Sequence, residues 1–521
     1  MINWTSDYYN ENKSDCQKIL KTPENWEKVP LLFDHQMPKG SLVRFKGMIQ
    51  DMLNPEYYSK TFSISNSMTN ETRVFQGKFH CSISNLKPEE EINFDDVLLE
   101  RHIVACIPIP GLNSWVKNVE NLNDIDKSQL EGNFPKRFCF DPSFQNNKKE
   151  VIVFVYPEDT DSNFLKVNHI IDIVGFLDLR SLQYGKDEYQ EKSHDLEEQY
   201  CIHALHIKFQ PISIFCKNQI SNESIWKEAS SIHNELKLIL TQALLGDSLA
   251  ADYLIFNLIS TIYNRQNNQV PGKFSLNIHG IPKNAGNNYI NKLYSLISLL
   301  VEKSEYLSIT IQNMNNINMI PRKCYIKNRL INGLLQLSKR THLIIDETNL
   351  EPGKLENKGM LNLQALNDII CNQQIKYDFT YYTIDYETEI SVLTLSIGKS
   401  LLPYDVNILL KPDPSCIENI KETVDSAINY LNSQYLLLEK LRKYIGIITS
   451  NTFNYSEDIL KVIENDYVNM RKIDPKNVSA DDLHRYMVIS KLIALSSGEN
   501  DLNIDIWEKC KGLEAERKLR N

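Results

Sequence analysis

Residues 341–353 read Thr-His-Leu-Ile-Ile-Asp-Glu-Thr-Asn-Leu-Glu-Pro-Gly, an apolar run that ends in two adjacent acids, Asp346 and Glu347. Neighbouring carboxylates at the end of a buried strand can hold Mg²⁺ and orient a water at the phosphates of a nucleotide. That chemistry also needs a glycine-rich loop whose N–H groups approach phosphate, a lysine for the β- and γ-phosphates and a hydroxyl for the metal. Three stretches could supply them. Gly398-Lys399-Ser400 has the right last letters, but Leu393 stands where the first glycine belongs, and the stretch follows the acidic strand. Gly246-Asp247-Ser248 precedes that strand, yet Ala250, Ala251 and Leu254 continue a helical pattern and no lysine follows. The topologically correct place is a strand Leu276-Asn277-Ile278-His279, a loop carrying Gly280, Lys283 and Gly286, and a helix from Asn287. There the Gly-Lys-Ser/Thr ending is replaced by Gly286-Asn287-Asn288.

Gly280, Lys283, Gly286, Asp346 and Glu347 therefore read as the remnants of a nucleotide site, with no catalytic residue, cofactor or metal site expected. Two readings of the acids stay open. Their carboxylates can cap the turn at Thr348-Asn349, or they can serve a weak nucleotide hydrolase in which Lys283 substitutes as a phosphate ligand.

The elements that would position these residues follow from the change of period along the chain. Residues 1–40 carry amphipathic patches and end at Pro38-Lys39-Gly40, which predicts a helical lead-in closed by a turn. From 41 to 218 come short apolar or alternating runs, namely SLVRFKGMIQDM, RVFQGKFHCSI, RHIVACIPIPG, EVIVFVYP, HIIDIVGFLDL and CIHALHIKF. Five or six such strands predict a small β-barrel, with 113–149 as a long polar loop. Over 223–412 the period becomes helical and then alternates between strand and helix, with RLINGLLQL as one helix of that series, predicting a parallel α/β sheet. Residues 413–521 read as helical throughout.

A chain of 521 residues with 42% apolar content can bury several cores. Its net charge of −10 disfavours a protein whose affinity rests on bulk nucleic-acid phosphate, and protein partners are expected instead. No run of 18 apolar residues occurs and the start has no signal-peptide pattern, so neither a membrane span nor secretion is expected. The ten cysteines form no Cys-x-x-Cys pair, and His203-x-x-His206 on a strand would point its rings to opposite faces. A rival reading places single-stranded nucleic acid on the barrel through Arg44, Lys46, Tyr57, Tyr58, Phe75, Lys78 and Trp115. The basic run Pro321–Arg329 could touch DNA, meet an acidic partner or form a solvated loop.

The stretch Gly333-Leu334-Leu335-Gln336-Leu337-Ser338-Lys339-Arg340-Thr341 through Glu347 resembles the approach to the acidic strand of mini-chromosome maintenance (MCM) helicase subunits. Leu401-Leu402-Pro403-Tyr404-Asp405 stands where those helicases have L-L-S-R-F-D, so the arginine finger has no counterpart, and 479–517 resembles their C-terminal lid. Over nearly its full length the chain resembles the MCM complex-binding protein family. The resemblance is carried by Val43–Met52, Asn54–Tyr58, Cys106–Gly111, Ser114–Val116 and residues 243–263, 343–353 and 480–490. One departure is a short link before FLKVNHIIDIVGFLDL, where family members often carry a longer polar insert.

This resemblance implies an α+β multidomain chain: an OB-like β-barrel, a degenerate AAA+-like α/β domain and a C-terminal helical lid, together shaped like a helicase subunit. It further implies a nuclear, non-catalytic partner of MCM helicase subunits that regulates their assembly and their unloading from chromatin during DNA replication and supports sister-chromatid cohesion. Chromatin association would then be indirect.

Overall fold

The computed structural model describes the chain apart from residues 1, 3, 33–36, 67–70, 80–89, 120–149, 159–164, 182–197, 210–213, 218, 266–269, 284–285, 326–328, 476–477 and 521. Near the N-terminus lie α1 (Ser6–Glu11) and α2 (Lys13–Lys21), then a 3₁₀ turn over Pro23–Lys28. The Thr5 hydroxyl caps α1 by accepting from the Tyr8 N–H. Tyr9, Cys16 and Leu20 are the buried side chains of these helices, and Trp26 joins them through an indole N–H donated to the Leu20 carbonyl at 2.7 Å.

A closed five-stranded barrel follows, built from β1 (Leu42–Ser59), β5 (Leu98–Ile107), β6 (Val151–Val155), β7 (Ile170–Ser181) and β8 (Glu198–Phe209) in the order β1-β5-β6-β8-β7. Every neighbouring pair is antiparallel except β6 with β8. Between β1 and β5 is inserted a three-stranded sheet of β2 (Thr61–Asn66), β3 (Thr72–Gln76) and β4 (Glu90–Phe94). The stretch RVFQGKFHCSI was expected in the barrel. Arg73–Gln76 of it belong to β3 of this side sheet instead, with Val74 exposed, and among the described residues β3 pairs only with β2, while Phe79 returns to the barrel's apolar cluster. Along β6 the residues alternate between two apolar clusters, Ile152 and Phe154 in one with Tyr9 and Trp26, Val151, Val153 and Val155 in the other. Burial on both faces explains why this strand reads as an unbroken apolar run. Of the expected loop 113–149, Asn113 is buried and donates its side-chain amide to the Val301 carbonyl at 2.8 Å, Ser114–Val119 form α3, and residues 120–149 lie outside the described residues.

Three helices, α4 (Gln219–Lys227), α5 (Ala229–Ala243) and α6 (Ser248–Ile259), lead into the second half. Its centre is a five-stranded parallel sheet of β9 (Leu276–His279), β10 (Ser304–Ser308), β13 (Thr341–Asp346), β16 (Ile390–Leu395) and β17 (Val406–Leu409), ordered β10-β13-β16-β9-β17. Crossovers run through α7 (Gly286–Leu300), α8 (Ile311–Asn316) and α9 (Asn357–Asn372). A four-stranded side sheet contains β11 (Arg322–Cys324), β12 (Arg329–Ile331), β14 (Gln374–Asp378) and β15 (Thr383–Glu387) in the order β12-β11-β14-β15.

The expected helix RLINGLLQL is not one: it forms β12 and then a turn. Gly333 packs so closely on another backbone segment that a Cβ there would lie 2.3 Å from the Ile320 carbonyl carbon, and the N–H groups of Leu334 and Leu335 donate to Asn318 and Met319. Tertiary hydrogen bonds thus override the local propensity.

Six helices close the chain: α10 (Pro414–Glu418), α11 (Ile420–Ser433), α12 (Tyr435–Ile448), α13 (Glu457–Ile473), α14 (Ala480–Ser496) and α15 (Ile504–Arg520). Their apolar faces merge with α5, α6 and the central sheet in one core that includes Tyr444, Ile489 and Trp507. Ser479 and Asp482 form a capping box at the start of α14. No single described helix is long and apolar enough to cross a membrane.

Barrel and sheet meet through buried hydrogen bonds. Gln336 donates to the Gln50 carbonyl at 3.2 Å and to the Tyr377 hydroxyl at 2.6 Å, and Tyr377 donates to Asn168 at 3.0 Å. Trp115 donates its indole N–H to Ser298 and Val301, with Arg442 stacked 4.1 Å from its ring.

Candidate functional site

In an open parallel sheet, ligands bind beyond the carboxyl ends of the strands. Here that position is set by the ends of β9, β13 and β16. Asp346, the last residue of β13, is fully buried. One of its oxygens accepts from the Thr348 N–H at 2.8 Å and the Thr348 hydroxyl at 2.6 Å; the other accepts from Tyr306 at 2.6 Å and Asn349 at 3.3 Å. This is the turn-capping geometry, and it occupies both oxygens. Glu347 is 6% exposed and accepts from the Leu401 N–H at 3.2 Å. Burial pushes its carboxyl above the ordinary range, against the lowering effect of the hydroxyl and amides around Ser400.

Across from these acids the loop after β9 has folded onto β16. The N–H of Gly280 donates to Ile397 at 3.2 Å and that of Ile281 to Ser396 at 3.3 Å. These two amides at the start of the loop are therefore bonded to carbonyls. Gly280 itself has φ +83°, and a Cβ on it would lie 2.7 Å from Leu409 Cδ1, so the space beside it is filled by a leucine of β17. Lys283 is exposed on a 3₁₀ turn, Gly286 opens α7, and Asn284 and Ala285 lie outside the described residues. Ser400 of the Gly398-Lys399-Ser400 stretch donates to the Leu402 carbonyl at 3.1 Å. Asp247, in the Gly246-Asp247-Ser248 stretch, caps α6.

The residues proposed for single strands on the barrel do not converge. Arg44 is held by Asp172 at 2.6 and 2.9 Å, Tyr58 is buried against Tyr156, Phe75 stacks on Phe62, Lys78 sits over the Tyr156 ring, and Trp115 is docked on the far end of α7. Only Tyr57 among these aromatic residues is largely exposed. His203 is sealed in the barrel, its Nδ1 2.7 Å from the Tyr156 hydroxyl, while His206 packs on Trp26. Among the described residues no group of three or more His, Cys, Asp or Glu could hold a metal.

One feature was not visible in the sequence: a cleft of about 1420 Å³ between the barrel wall and the side sheet. Asp51 and Glu150 face it from the barrel, Lys323 and Arg329 from β11 and β12, and Tyr325, Phe379, Tyr382 and Tyr386 supply aromatic surface. Lys323 lies 3.6 Å from Asp51. Burial pushes Glu150 up to about 6, partly offset by Arg329 and Lys323. Of the basic run Pro321–Arg329, Lys323 and Arg329 thus turn inward toward barrel acids, a pairing between residues far apart in sequence, while Arg322 stays exposed beside Asp378.

A family model described as mini-chromosome maintenance replisome factor matches residues 16–137 and 123–521. The chain belongs to that family. Proteins named mini-chromosome maintenance complex-binding protein are similar over almost the whole chain. The one from Gallus gallus is 32% identical, covering 99% of this chain and 93% of its own length. That from Drosophila melanogaster is 33% identical with 96% and 94% covered, and that from Homo sapiens 31% identical with 94% and 90% covered. In this member of the mini-chromosome maintenance replisome factor family, the amides of Gly280 and Ile281 beside the parallel sheet are bonded to Ile397 and Ser396.

Proposed function

We propose that this chain is a non-catalytic binding partner and chaperone of the MCM replicative helicase. It regulates the helicase's assembly and its unloading from chromatin in DNA replication, and supports sister-chromatid cohesion. The names of its relatives supply the partner. On this reading 1–40 is a helical lead-in, 41–218 an OB-like domain, 223–412 a degenerate AAA+-like domain and 413–521 its lid. Its place of action is the nucleus, and its contact with chromatin runs through the helicase.

The single observation that supports the mechanism is a five-stranded parallel sheet whose neighbouring Gly280 and Ile281 amides are bonded to Ile397 and Ser396, which we read as a helicase-subunit-like sheet without a working phosphate loop. A helicase ring is a head-to-tail, heterologous assembly, so a chain with subunit shape can cover one face of a subunit. Without a nucleotide-bridged contact on its other face, the ring opens there. The chain works by differential affinity for open over closed states, not by hydrolysis.

The test mixes the purified protein with purified helicase subunits, with and without ATP, and weighs the complexes by light scattering after size exclusion. Subcomplexes that form without nucleotide, and a hexamer that dissociates on addition of this protein, are expected. Absence of association under both conditions overturns the reading.

A further inference from the structure

Strand β15 is the end member of its sheet, paired with β14 on one side only among the described residues. Four successive residues, Ile384, Asp385, Tyr386 and Glu387, line the cleft against the barrel. Successive side chains of a strand point to opposite faces, so four in a row can border one cavity only if the strand's edge looks into it. An open edge offers a row of main-chain donors and acceptors to another chain. The opposite wall is β1 over residues 50–56, and it is blunted: it carries two register shifts and Pro55, which has no N–H to give. β15 has neither a register shift nor a proline.

We propose that the β15 edge is a docking site for an extended segment of a partner protein, added as a fifth strand, in which basic residues alternate with apolar ones. The composition follows from the register. Tyr386 pairs with Ile375 and Ile384 with Tyr377, so these two share the face that is buried as core on β14. Asp385 and Glu387 share the other face. A strand laid along this edge sets its apolar side chains beside Ile384 and Tyr386 and its other side chains beside the two acids. Opposite charges directly across strands are favourable and like charges unfavourable. Among the described residues neither acid has its charge met in full. Lys376, across from Asp385, also lies 3.6 Å from Asp368, and Glu387 has Arg265 at 3.8 Å with its own side chain 66% exposed.

The cleft, at about 1420 Å³, is larger than the ~300–1,000 Å³ usual for small-molecule pockets, which suits a polymer. Acids on the edge disfavour a nucleic-acid strand. Main-chain pairing supplies affinity in such additions and the alternating side chains supply selectivity. The inference does not require the partner to be a helicase subunit, and its test uses none.

The probe is a short fluorescein-labelled peptide of alternating lysine and valine, followed by fluorescence anisotropy with the full chain. It is expected to bind saturably, at least tenfold more weakly when N-methylated throughout. The Asp385→Lys, Glu387→Lys double variant, at exposed positions, is expected to lose at least tenfold for the lysine peptide and to gain binding of the glutamate–valine counterpart. Circular dichroism monitors its fold, and the N-methylation comparison on the unaltered protein does not depend on it. No saturable binding overturns the proposal. So does equal binding of the N-methylated peptide, persistence in the double variant, or displacement of the peptide by a single-stranded oligonucleotide.

Discussion

Arg520 Nη1 stands 2.8 Å from both carboxylate oxygens of Asp247, joining α15 to the cap of α6. Asp247 is nearly inaccessible and also accepts from the N–H groups of Leu249, Ala250 and Lys411. Removing a buried acid strands its cation and uncaps a helix. Asp247→Ala is therefore expected to destabilise by about 3–5 kcal/mol, and Arg520→Ala by less because Arg520 is the more exposed partner. Urea unfolding read by circular dichroism measures both, and equal, negligible shifts would contradict the geometry.

The same helix is anchored a second time. Glu514 is fully buried and accepts from Tyr253 at 2.6 Å, Arg517 at 2.8 and 2.9 Å and Arg485 at 3.0 Å. These partners hold its carboxyl below the ordinary range despite burial. Tyr253→Phe removes one bond and is expected to cost about 1–2 kcal/mol; Glu514→Ala removes the hub and is expected to cost more than any single partner. A double-mutant cycle of Tyr253→Phe with Arg517→Ala should show coupling well above measurement error.

Glu347 separates a structural acid from a catalytic one. Because burial already disfavours its charge, Glu347→Gln is expected to leave stability unchanged or raise it by up to about 1 kcal/mol at pH 8. The same variant should leave phosphate release from ATP at the background rate of the unaltered protein. A drop in release on this substitution would restore the hydrolase reading.

At Gly280 the expected change is steric. Gly280→Ala adds a methyl at φ +83° against Leu409, so a loss of about 1–3 kcal/mol is expected. Leu409→Ala combined with it should recover part of that loss, measured by thermal unfolding.

Glu305 supplies a pH dependence. Burial raises its carboxyl from 4.5 to about 7, so its protonated form is favoured in the folded state. Its contribution to stability is full below pH 4.5 and is lost as pH rises through 7. Glu305→Gln should flatten stability over this window and exceed the unaltered protein by on the order of 1–3 kcal/mol at pH 8. An unchanged pH profile would remove Glu305 as its source.

Much of the strand content was legible because period and burial agree: THLIID became β13, and VIVFV became a strand buried on both sides. The capping role of Asp346 was legible too, since Thr348 and Asn349 follow at capping distance. What a single sequence hid was long-range. Nothing local says that RLINGLLQL is held open by Asn318 and Met319, that RVFQ leaves the barrel for a side sheet, or that Lys323 will meet Asp51. These are contacts between distant segments, and local propensity gives way to them.

The barrel's connectivity has a kinetic consequence. Residue 42 pairs with residue 176, and β6 pairs directly and in parallel with β8 although β7 comes between them in sequence, so no hairpin closes the cylinder early. Chains dominated by such non-local pairings fold on the millisecond-to-second scale and leave strand edges open while they wait. Refolding should accordingly be slow and concentration-sensitive.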